Sequence, residues 1–122
     1  MRAARPEITN WDTSSVTSTA YMFANTAHFE AVPALNWDVS RVVTMEHMFH
    51  NATALNSNYA FHFWDVSTVT STESMFRGAS TFNGNLFTWN TANITSTAYM
   101  FCGTKTHTQP LHTTPGLSER WV

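Results

Sequence analysis

Apolar residues return along this chain at fixed offsets from tryptophan. Met-Phe occurs four times, and each time a tryptophan stands eleven residues before the methionine: Trp11 with Met22-Phe23, Trp37 with Met48-Phe49, Trp64 with Met75-Phe76, and Trp89 with Met100-Phe101. Successive tryptophans are 26, 27 and 25 residues apart. Five residues after each comes a β-branched aliphatic (Val16, Val42, Val69, Ile94), and eight after it Thr19, Met45, Thr72 or Thr97. Six residues beyond the first three Met-Phe pairs lies a further anchor, Phe29, Leu55 or Phe82. A period of this size marks units that cannot bury their apolar face alone and stack on their neighbours.

Two short elements are predicted in each unit. The alternating, aromatic stretch into the tryptophan, such as Asn85-Leu86-Phe87-Thr88-Trp89, reads as a short strand. Offsets 5, 8, 11 and 12 describe one face of a short helix or 3-10 turn. Between them, Asp12, Asp38 or Asp65 and Ser14, Ser40 or Ser67 are placed to bond nearby N–H groups in a turn. The expected fold is a repeat solenoid, leucine-rich-repeat-like, with short parallel β-strands alternating with short helical or 3-10 turns over about four rungs. Residues 1–7 form an N-terminal lead, 8–104 the four-repeat solenoid, and 105–122 a C-terminal cap or tail. The structural core is assigned to Trp11, Trp37, Trp64 and Trp89 and to Phe23, Phe49, Phe76 and Phe101, each set forming one column. The Met-Phe to Trp connection varies in length, which places bulges at Ala31-Val32-Pro33 and Asn58-Tyr59-Ala60.

Composition narrows the function classes. Charged residues make up 11 % of the 122, well under the roughly 25 % typical of globular proteins. Twenty Thr, eleven Ser and ten Asn supply the polarity, and Lys105 is the only lysine. A surface this neutral has no basic patch for a phosphate backbone, which argues against nucleic acid. No run approaches the roughly 18 apolar residues of a membrane span, so no membrane insertion is expected. Residues 1–6 have no apolar core of the kind a signal peptide needs. Cys102 is the only cysteine, so an internal disulfide framework is excluded. Asn51 and Asn93 stand in N-x-[ST] sequons and are candidate glycosylation acceptors.

The units WDTSSVTSTAYMF, WDVSRVVTMEHMF, WDVSTVTSTESMF and WNTANITSTAYMF, with Thr81-Phe82-Asn83, resemble a bacterial surface-protein repeat of lipoproteins and adhesins. That repeat is itself similar to BspA-type leucine-rich repeats. The resemblance covers residue 8 to about 104. It implies a strand-and-helix solenoid, display at the cell surface, and contact with protein or glycan. It brings no catalytic or ligand residues. One departure stands out: the first Met of the family's M-x-x-M-F motif survives only as Met45.

Candidate chemistry is sparse. Glu46-His47-Met48-Phe49-His50 places two histidines three apart beside an acid, but zinc needs three or four protein ligands and no further set is evident. Asp12, Asp38 and Asp65 align as a column that could ladder calcium, yet the fourth position is Asn90 and each unit has one carboxylate, so turn bonding is preferred. The Thr17-Ser18-Thr19, Thr70-Ser71-Thr72 and Thr95-Ser96-Thr97 rows are broken by Thr44-Met45-Glu46 and read as helical turn, not as an ice-binding face. Cys102 reads as a buried small residue near the end of the stack. No enzyme, no metal and no cofactor are expected. The expected function is a repeat module for surface display, adhesion or protein or glycan interaction, outside the cell or on its surface. The alternative is a small accessory structural subunit docked in a larger complex, for instance in an organelle. The expected partner is protein, another copy or a different subunit, at the ends of the solenoid, with glycan as a second ligand class.

Overall fold

The computed structural model describes residues 8–29, 35–55, 61–82, 86 and 88–104. The lead at 1–7, both bulges and the segment 105–122 lie outside these. Among the described residues there is no strand and no α-helix. One 3-10 turn, Ile8–Asn10, is the single regular element. The expected leucine-rich-repeat-like solenoid of alternating strand and helix is therefore not what the chain adopts. It forms irregular loops, made of turns, that lie one on another.

Each loop opens with a side-chain-directed turn. The Oδ1 atoms of Asp12, Asp38, Asp65 and Asn90 accept from the N–H two residues on, at 3.1, 3.0, 3.1 and 3.1 Å. A short side chain bonding its own backbone favours a turn over a helix or a ladder. The β-branched residue then closes a second turn, as in Val42 N–H to Val39 O at 3.0 Å. Extended backbone follows for one residue only. Ser18, Thr44, Ser71 and Ser96 pair in succession as parallel single-residue bridges, too short to count as strands.

The segment expected as helix turns differently. Tyr21, His47, Ser74 and Tyr99, ten residues after each tryptophan, have φ between 55° and 62°. Four residues later Asn25, Asn51, Gly78 and Gly103 are again left-handed. A left-handed residue at these intervals excludes a right-handed helix. Alternate N–H groups consequently serve two purposes. Met48, His50 and Ala52 donate three residues back within their own loop, whereas Met45, His47, Phe49 and Asn51 donate to Ser71, Glu73, Met75 and Arg77 of the next loop at 2.7–3.0 Å. The first loop repeats this through Thr19, Tyr21, Phe23 and Asn25, and the third through Thr72, Ser74, Phe76 and Gly78. These bonds offset the strain of the left-handed residues, which costs roughly 1–2 kcal/mol for each that is not glycine.

Side chains at offsets 5, 8, 11 and 12 point inward, as Val42, Met45, Met48 and Phe49 do, all fully buried. Trp37 stacks on Trp64 and Trp64 on Trp89 at centroid distances of 6.3 and 6.4 Å, with planes within 8°. Phe49, Phe76 and Phe101 stack at 5.6 and 5.9 Å. Aromatic surface at these spacings is the chief stabilising contribution.

Candidate functional site

The two ends of this stack differ in what they offer, because every inter-loop bond has a direction. Four N–H groups of each of the first three loops donate to the following loop, and four carbonyls of each of the last three accept from the preceding one. Thr44, Glu46, Met48 and His50 accept from the first loop; their equivalents there are Ser18, Ala20, Met22 and Ala24. Those four carbonyls accept no hydrogen bond among the described residues.

Two donors complete the face. Val43, Thr70 and Thr95 each send their N–H back to the preceding loop, to Thr17, Val43 and Thr70, at 2.8 Å. The equivalent N–H of Thr17 has no such partner among the described residues. Likewise Trp37, Trp64 and Trp89 donate their indole N–H to Ile8, Leu35 and Phe61 carbonyls at 2.8, 2.7 and 3.0 Å. No bond of this kind is made by Trp11 among the described residues. Apolar side chains beside these groups are exposed: Trp11 by 52 %, Tyr21 by 60 % and Met22 by 38 %. Trp11 and Met22 stand where Trp37, Trp64 and Trp89, and Met48, Met75 and Met100, are buried in the other loops.

The residues singled out in the sequence fall as follows. Trp37, Trp64, Trp89, Phe49, Phe76 and Phe101 are buried, whereas Trp11 is exposed and Phe23 half-buried, since both lie on the end loop. Asn51 and Asn93 are exposed, and both amides are engaged: Asn51 Nδ2 donates to Asn25 Oδ1 at 3.1 Å, and Asn93 Nδ2 to the Ser67 carbonyl at 2.7 Å. Cys102, expected to be buried, is exposed. Thr17, Thr70 and Thr95, expected on a helical turn, directly precede the bridge residues and are exposed.

Neither metal reading gains a ligand set. His47 and His50 bring their Nδ1 atoms to 3.1 Å, so one ring donates to the other. His47 also stacks on Tyr21 at 4.6 Å. Burial, then the neighbouring His47 and Arg77, push His50 below the usual histidine range. Two nitrogens fall short of a zinc site, and the described residues contain no group of three or more His, Cys, Asp or Glu able to hold a metal. In the acidic column the hydroxyl of the serine two residues on donates to each carboxylate: Ser14 to Asp12, Ser40 to Asp38 and Ser67 to Asp65, at 2.7, 2.6 and 2.6 Å. These hydroxyls, followed by the serine N–H groups, hold all three carboxyls below the ordinary range. No helix among the described residues is long and apolar enough to cross a membrane.

Sequence reasoning did not find the Ser18, Ala20, Met22 and Ala24 carbonyls. Main-chain acceptors leave no side-chain signature, and the spacing that aligns the loops says nothing about bond direction.

Residues 1–114 match the family model DUF285, described as a Mycoplasma protein of unknown function, and the chain belongs to that family. No curated protein and no solved structure matches it. The resemblance to surface lipoprotein and adhesin repeats of leucine-rich type is corrected on two counts. The strands and helices it implies are absent from the described residues, and the family's description assigns no function. The surface-display and adhesion module, and the accessory subunit offered beside it, rested on those rungs and are not carried forward.

Proposed function

We propose that this member of the DUF285 family works without catalysis, by association at one end, taking a polypeptide on the face of its first loop. One observation carries the reading: four main-chain carbonyls that have no donor among the described residues run beside exposed Trp11, Tyr21 and Met22. A row of unpaired main-chain groups is a template for another chain. The adjoining aromatic surface supplies the apolar area that makes such pairing favourable. The sides of the stack are less suited, because their threonines already bond along it: Thr68 Oγ1 donates to the Ser40 and Val42 carbonyls, and Thr95 Oγ1 to that of Thr70.

Photo-crosslinking tests this. A benzophenone amino acid replaces Tyr21 in the full chain, or replaces Thr95, which is exposed on the side. Cross-linked polypeptide adducts are expected from position 21 and not from position 95. Equal yields at both positions, or none at 21, overturn the reading.

A further inference from the structure

We propose that the occupant of this face is a loop of the same repeat, supplied by another polypeptide chain and laid down in parallel as if it preceded the first loop. The proposal rests on the reading of the first loop as an association face and identifies what fits it.

The face is a pattern of six groups. It presents acceptors at Ser18, Ala20, Met22 and Ala24, and donors at the Thr17 N–H and the Trp11 indole. The second loop shows what answers that pattern, because it covers the same groups of the third. Its Met45, His47, Phe49 and Asn51 N–H groups meet the carbonyls of Ser71, Glu73, Met75 and Arg77. Its Val43 carbonyl takes the Thr70 N–H, and its Leu35 carbonyl takes the Trp64 indole. All six groups are therefore satisfied by one loop of this repeat. An ordinary extended strand fails, because a β edge alternates donors and acceptors along its length, whereas this face needs four donors in succession from alternate residues. The left-handed residues of the repeat are what turn those four N–H groups to one side.

The same polarity excludes a two-fold dimer through this face. Two copies meeting face to face would set four acceptors against four acceptors, with only two donors on each face to answer them. The contact is heterologous, one chain's donor side on the other's acceptor side. Ring stacking continues through it: the incoming tryptophan lies on Trp11 as Trp11 lies on Trp37, at 5.8 Å.

The test uses a synthetic peptide of residues 35–63, which carries one full repeat and the Leu35 carbonyl that takes the indole, titrated into the labelled full-length chain. Saturable binding is expected, with carbonyl carbon shifts at Ser18, Ala20, Met22 and Ala24 and a shift of the Trp11 indole proton. A peptide with an ester in place of the Phe49 amide loses one donor at unchanged side chains and is expected to bind roughly tenfold more weakly. A scrambled peptide should not bind. In a second arm, residues 35–60 are joined ahead of Ile8, which keeps a 27-residue tryptophan spacing. Exchange of the Thr17 amide is then expected to slow by about tenfold or more. No protection in this longer chain overturns the complementarity. Protection there without binding of the separate peptide overturns the claim that another chain is the occupant. Equal binding of the ester and amide peptides overturns the directional match. Any of these results with selective cross-linking at position 21 sinks this inference alone; without it, the association reading falls as well.

Discussion

The indole Nε1 of Trp64 donates to the carbonyl of Leu35 at 2.7 Å, reaching back across the stack to the preceding loop. The bond is buried, and it joins the two means by which the loops hold together. The ring lies between those of Trp37 and Trp89, while its one polar atom satisfies a main-chain acceptor that has left water. A tryptophan at this offset therefore fixes register as well as filling volume, which phenylalanine would not do.

Trp64→Phe should accordingly destabilise more than loss of area alone predicts. The Leu35 carbonyl would be left buried without its donor, which costs about 1–3 kcal/mol. Trp11→Phe should cost little in the isolated chain, since the Trp11 ring is exposed. Urea denaturation of both variants decides the matter, and similar losses would contradict the assigned role of the indole bond.

Phe76→Ala should cost roughly 3–5 kcal/mol, the usual range for truncating a buried aromatic. The Phe76 ring contacts Phe82 at 4.0 Å and lies between Phe49 and Phe101. A chain this small has about 5–15 kcal/mol in all, so much of its stability would go. Phe23→Ala, on the half-buried end loop, should cost clearly less by the same denaturation measurement.

Much of the packing could be read from the sequence, and little of the backbone. Trp37, Trp64 and Trp89 share one offset from Met-Phe, and their rings lie on one another. Spacings of three and four residues suggested a helix because a helix places such residues on one face. Consecutive turns closed by bonds three residues back, such as Met48 to Met45 and Ala52 to Phe49, do the same. Hydrophobic period cannot separate the two. One signal was available: Asn25, Asn51, Gly78 and Gly103, all fourteen residues after a tryptophan, are residue types that tolerate left-handed backbone. Tyr21, His47, Ser74 and Tyr99 carry no such mark, although the N–H groups of the first three all make inter-loop bonds. The end face was not legible because its main-chain acceptors belong to residues of every type.

Gly78→Ala should destabilise more than Gly103→Ala. Both glycines have positive φ, 76° and 83°, where an added Cβ costs about 1 kcal/mol. At Gly78 that Cβ would also run into the side-chain oxygen of Asn51 and disturb its bond to Asn25. At Gly103 it meets only Gly78 backbone, at 3.4–3.5 Å, an ordinary contact. Thermal melts of the two variants should differ by several degrees, a shift on the order of 1 kcal/mol in a chain this small. Equal melting temperatures would remove Asn51 from the account.

Acid should weaken the fold in two separate windows. His50 is held below its ordinary value by burial, then by His47 and Arg77, so the unfolded chain takes up its proton first. Stability is therefore full above about pH 6.5 and declines as pH falls below it. The His50 ring shares the Nδ1 to Nδ1 hydrogen bond with His47, whose own ring stacks on Tyr21. Asp65 is likewise held low by the Ser67 hydroxyl and N–H, but its contribution survives until pH falls below about 3.8. His50→Gln should flatten the first decline and leave the second. Asp65→Asn should soften the second only, since Asn90 makes the same turn in the fourth loop, accepting from the Ala92 N–H at 3.1 Å. Melting temperature followed from pH 8 to pH 3 measures both. A first decline that persists unchanged in His50→Gln would place the neutral-range titration elsewhere in the chain.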